Sequence, residues 1–159
     1  MFLTVAMSVE DLMRAIDVDA SDRAGRCASN ISSFNFDTGT LNFITRCSGS
    51  RNSWQQRIVV GDWDVVLTDE LKQNKLTWDQ FKVQFPEILN SDVRVGCTCP
   101  WFQMGGPAYI LDQFDAGELS LTRYKNTRGP EGRYPSMRDP DLDHTLCKHL
   151  IAVLRKYFK

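Results

Sequence analysis

The stretch GCTCPWF, residues 96–102, sets two cysteines one residue apart at the end of an alternating apolar run, and HTLCKHL, residues 144–150, sets a third cysteine just ahead of a histidine. Two tight pairs of soft or borderline donors suit a tetrahedral structural zinc site, with Zn–S near about 2.3 Å and Zn–N near about 2.0 Å. On a strand, residues i and i+2 point the same way roughly 7 Å apart, so a modest bend can bring the sulfurs of Cys97 and Cys99 together. Pro100 is placed to enforce that bend. On a regular helix, i and i+2 lie about 200° apart. Cys147 and His149 therefore converge only if Cys147 belongs to the lead-in of a helix and His149 to its first turn, with Asp141, Asp143 and Thr145 as candidate N-caps. The candidate ligands are Cys97, Cys99, Cys147 and His149, and a set that fills all four corners makes the ion structural rather than catalytic.

The rest of the composition is that of an ordinary folded domain. The chain has 159 residues, 42% hydrophobic and 25% charged, enough for one core and short for two. A single domain over residues 1–159 is expected. The balance of 19 Lys+Arg against 20 Asp+Glu gives a formal charge of −1, without the basic excess that drives general binding to polyanions. The apolar start MFLTVAM lacks a basic flank and ends in a helix-start signal, so neither an export signal nor a membrane span is expected. Five cysteines make an odd count that argues against a complete disulfide framework. Cys27 and Cys47 read as ordinary buried thiols, and His144 is an alternative ligand whose position ahead of the helix favours a solvent-facing or supporting role.

Outward from the cysteine pairs, the patterning predicts an α+β fold with a small antiparallel sheet and flanking helices. Ser8 and Asp11 resemble a cap ahead of a short helix over residues 9–17. DASDRAGRCAS reads as a loop. Two alternating runs joined by Asp37, Thr38 and Gly39 form a hairpin, and WQQRIVVGDW adds a strand after a turn at Gly49. Thr77 and Gln80 form a capping box for a helix whose Trp78, Phe81 and Phe85 make an aromatic core stripe, disrupted near Pro86. SDVRVGCTC is a strand with Val93, Val95, Cys97 and Cys99 on one face, stopping at Pro100. At the C-terminus a helix presents Leu146, Leu150, Val153 and Tyr157 on one face. Residues 1–92 are thus a helix, hairpin and strand scaffold; residues 93–159 form a zinc-stapled unit with a long irregular insert, 103–143, in which PAYILDQF can form a short helix.

Cys-x-Cys ending a strand, followed by Cys-x-His opening an apolar helix, resembles the SWIM-type zinc finger, with Lys148 and Leu150 matching its texture. The resemblance covers about a third of the chain and implies Zn2+ on the four candidate ligands. The insert is longer than in the compact family pattern. This expanded form, with VRVGCTCPWF, a Gly/Pro/Arg-rich insert and RDPDLDHTLCKHLIAVL, is similar to a group of bacteriophage proteins, several of them virion-associated. It implies a virion component assembled in the bacterial cytoplasm, with other virion subunits or a second copy as partners.

The insert offers its own chemistry. Arg123, Tyr124, Lys125, Arg128, Arg133, Tyr134 and Arg138 form a basic, aromatic strip able to neutralise phosphates and stack on bases. Asp139, Asp141 and Asp143 offset its field, and a solvated loop explains it equally well. Arg and Tyr also anchor protein interfaces. Two readings follow: a non-enzymatic structural or interaction protein, or a nucleic-acid-binding zinc module. Cys147 as a nucleophile with His149 as base lacks an orienting third group and leaves Cys97 and Cys99 unexplained. With no acid/base pair, phosphate loop or triad in view, no enzyme is expected. Trp101 and Phe102 are expected to shield the metal, an exposed pair marking a docking surface instead.

Overall fold

The computed structural model describes residues 7–14, 18–61, 63, 75–104, 111, 116–118 and 146–158. Elements run β1 (Met7–Ser8), α1 (Val9–Arg14), α2 (Val18–Ala24), β2 (Cys27–Asn35), β3 (Thr40–Cys47), β4 (Trp54–Val60), α3 (Trp78–Gln84), a 3-10 turn (Pro86–Asn90), β5 (Asp92–Cys97), α4 (Pro100–Met104) and α5 (Lys148–Tyr157). The strands form one antiparallel sheet in the order β1-β5-β4-β3-β2, which bears out the α+β expectation.

Local chemistry explains most of the boundaries. The Ser8 hydroxyl accepts from the Asp11 amide at 3.1 Å while the Ser8 amide reaches the Asp11 carboxylate, so α1 starts on a reciprocal cap. Helix α3 opens on the Thr77–Gln80 capping box, and Phe85 ahead of Pro86 closes it. Gly39 takes φ 69° in the β2–β3 turn, where an added Cβ would collide with the Trp63 indole. Alternation then sorts each strand: Leu41, Phe43, Ile58, Val60, Val93 and Val95 are buried in the core. The aromatic stripe of α3 holds in part, with Trp78 and Phe81 buried and Phe85 partly so.

Helix α5 is the centrepiece. It packs on β2, β3, β4, β5 and α2, and it buries Leu150, Ile151, Val153 and Leu154. A one-faced helix is expected from the sequence; the structure buries nearly the whole circumference, because the sheet covers one side and α2 another. Tyr157 at its end donates its hydroxyl to Ser29 O and accepts from the Ile31 amide at 3.0 Å, closing part of the free edge of β2.

Four expectations are corrected. DASDRAGRCAS is not a loop: its first half is α2, held because Ala20 and Ala24 are buried and α2 packs on α5. Alanine at four-residue spacing is too weakly apolar to show as a periodic signal. Strand β5 ends at Cys97, and Pro100, rather than simply stopping a strand, opens α4 as its first residue, a position that its fixed φ favours. The α5 N-cap is Cys147 itself, not an upstream aspartate or threonine. Cys27 and Cys47 are not ordinary buried thiols: they sit opposite each other across the hairpin and are joined as a disulfide. Their sequence separation of 20 says nothing of this; hairpin register does.

Part of the insert is anchored. Leu111 and Ala116 are fully buried, and residues 116–118 run beside β5, with the Val95 amide donating to Ala116 O and the Glu118 amide to Val95 O. Gly96 is required there, since a Cβ would overlap the Glu118 carbonyl. The PAYILDQF helix, the N-cap candidates Asp141, Asp143 and Thr145, and His144 lie outside the described residues, apart from Leu111.

Candidate metal centre

The end of β5 and the start of α5 meet at one point in the fold. Cys97 closes the strand on its core face, Cys99 follows in the turn into α4, Cys147 is the α5 N-cap and His149 lies in the first turn of α5. The donor atoms of all four lie within 4.8 Å of one another and all four residues are buried. Cys147 reaches the cluster because its backbone is extended, φ −81° and ψ 162°, and so has left the helical rotation that would separate it from His149.

Three N–H groups are aimed at the sulfurs. The Cys99 amide donates to Cys97 Sγ, the Phe102 amide donates to Cys99 Sγ at 3.3 Å, and Gln56 Nε2 donates to Cys97 Sγ at 3.4 Å. Such donors stabilise thiolate, the form in which cysteine binds metal. Without an ion the cluster is frustrated. Burial pushes Cys97 up to about 12 and Cys147 well above its ordinary value, whereas hydrogen bonds from Cys147 and Cys97 hold Cys99 well below. One thiolate shared among three buried sulfurs is the protonation state expected of such a site, and a divalent ion removes the conflict by binding all three as thiolates.

Gln56 escaped the sequence reading. It lies on β4 directly opposite Cys97, fully buried, with its Oε1 accepting from Thr45 at 2.6 Å and Thr45 paired with Ser29 at 2.9 Å. A buried polar row, Ser29–Thr45–Gln56–Cys97, thus crosses the sheet from its free edge to the cluster. Polar residues on the inward phase of strands were the available signal.

The shielding pair divides. Phe102 is fully buried, whereas Trp101 is 39% exposed. Of the basic strip, Arg123, Tyr124, Lys125, Arg128, Arg133, Tyr134 and Arg138 all lie outside the described residues.

Three sulfurs and one imidazole nitrogen, all from buried residues, fit a zinc-type ion. The SWIM zinc finger family model matches this chain. The match covers residues 81–108 and 140–158, under a third of the chain, and takes in all four cluster residues. Match and cluster together fit a SWIM-type zinc finger and point to a bound metal ion. No curated protein and no solved structure matches the chain. No helix among the described residues is long and apolar enough to cross a membrane.

Proposed function

We propose that this chain is a non-enzymatic interaction protein in which Zn2+, held by Cys97, Cys99, Cys147 and His149, staples the start of α5 to the end of β5 and so fixes both ends of the span between them. The observation that carries this reading is the convergence of four buried donors from two distant segments. Apparent zinc affinities of about 10–16 kcal/mol in small domains exceed a domain's usual net stability of about 5–15 kcal/mol, so one ion can decide whether such a span is shaped. The ion supplies charge neutralisation and a fixed tetrahedral corner. The chain's own residues do the rest, with Phe102 excluding water and Gln56 orienting Cys97.

The setting we assign is a bacteriophage particle, in which the span contacts neighbouring subunits. Its support is the resemblance of the expanded form, together with the break in the family match between residues 108 and 140, where that form carries its insert. Mass spectrometry of the purified protein should find one zinc per chain, lost in Cys99→Ser. Proteomics of purified particles should find the chain at stoichiometric copy number. A metal-free native protein would defeat the staple; particles lacking the chain would defeat the setting alone.

A further inference from the structure

The two sulfurs of the Cys27–Cys47 bond meet different surroundings. Cys47 is 5% exposed, whereas Cys27 is partly buried and forms part of the wall of a cavity of about 320 Å³. This cavity opens between the end of α2, the start of β2 and the later turns of α5, with Arg155 and Lys156 lining it beside Cys27. No residue of the Cys/His cluster lines it, and among the described residues neither does a carboxylate. Both cations have partners, all of them neutral: Arg155 donates to the Ser21 carbonyl and hydroxyl, and Lys156 donates to Ser29 O at 2.7 Å and lies over the Tyr157 ring. Those contacts fix where the guanidinium and the ammonium stand without cancelling their charge. An accessible disulfide sulfur thus faces a cavity whose charged lining, among the described residues, is wholly positive.

We infer that Cys27 is a thiol-exchange site that accepts a small thiol bearing a carboxylate. The incoming thiolate sulfur bonds to Cys27 Sγ, the Cys27–Cys47 bond breaks, and its electron pair leaves on Cys47, which takes a proton from water. Access decides which sulfur is attacked: the cavity reaches Cys27 and not Cys47, so Cys27 keeps the adduct. A second thiolate attacking the sulfur of the bound small thiol returns Cys27 as a thiolate and carries off a small-molecule disulfide. Arg155 and Lys156 draw anionic thiols into the cavity and hold the carboxylate of the adduct. The volume lies at the lower end of small-molecule pockets, which begin at roughly 300 Å³, and so suits a thiol of amino-acid to short-peptide size. This site goes beyond the zinc staple and does not depend on it.

The test exposes the zinc-loaded full chain to thioglycolate, an anionic thiol, and to cysteamine, a cationic one, followed by acid quenching, digestion and mass spectrometry. Thioglycolate adducts are expected on Cys27 with Cys47 free, formed more slowly as salt is raised. Arg155→Gln and Lys156→Gln should each slow thioglycolate by about fivefold and leave cysteamine as fast or faster. Comparing each variant with the parent for the same thiol cancels that thiol's own reactivity. General loosening of the fold would speed both thiols, so opposed responses isolate the charge of the cavity. Adducts on Cys47, parallel responses of the two thiols, or a bond that neither thiol opens would overturn the proposal. So would Cys27 and Cys47 remaining free thiols after incubation with oxidised glutathione. Zinc content is measured on the same samples, so failure of the exchange site leaves the staple standing.

Discussion

Gln56 faces two ways, donating through Nε2 to Cys97 Sγ and to Trp54 O while accepting through Oε1 from Thr45. Groups that orient a metal ligand typically affect affinity by about 10–100-fold. Gln56→Leu should weaken zinc binding by that factor and cost about a further 1 kcal/mol through the hydrogen bonds lost to Thr45 and Trp54 O, the Thr45 hydroxyl keeping Ser29 as its partner. Competition with a chelating dye measures the first and urea melting the second; unchanged affinity would remove Gln56 from the site. The thiols predict a pH dependence. Cys97 and Cys147, raised by burial, are protonated at neutral pH, while Cys99 is lowered and ionised. Binding must therefore expel about two protons per ion, so affinity rises with pH, roughly a hundredfold per unit near neutrality. Titration in weak buffer counts these protons, and a count near zero would contradict the assignment. The four residues of the cluster were legible because donor type and spacing are local properties. Gln56 was not, because nothing in one dimension says which residue β4 places opposite Cys97.

At the level of elements, capping chemistry was the most readable feature and packing the least. The Thr77 cap and the Gln80 return bond on α3 follow from four consecutive residues. Thr77→Ala should cost about 1 kcal/mol, seen as a lower denaturant midpoint at unchanged slope; a neutral result would mean α3 is held by Trp78 and Phe81 alone. Helix α2 is the opposite case. Among its described side chains the buried ones are small, Ala20 and Ala24, and Arg155 reaches across from α5 to donate to Ser21 O at 3.2 Å and to its hydroxyl. Such a segment is helical because α5 lies beneath it, which local propensity does not record.

For the whole molecule, the sheet and the metal cluster share α5. Burial of Leu150, Ile151, Val153 and Leu154, at about 1.5–3 kcal/mol each, is comparable with the entire stability of a domain. The cluster residues Cys147 and His149 hold the first turn of that helix, so losing the ion should not unfold the C-terminal half alone. Chelation is expected to lower thermal stability across the molecule, with hydrogen exchange rising in β2 and β3 as well as in β5; equal melting with and without chelator would refute the staple. By itself the sequence determined the two donor pairs, the hairpin, the capped helices α1 and α3 and the α+β class, because each pair, turn, cap and strand pattern depends on residues close together in the chain. Only the tertiary structure decided that Cys27 pairs with Cys47, that α2 is a helix and that Gln56 supports Cys97. Those three facts arise between segments that the chain separates and the packing of α5 and the register of the sheet bring together.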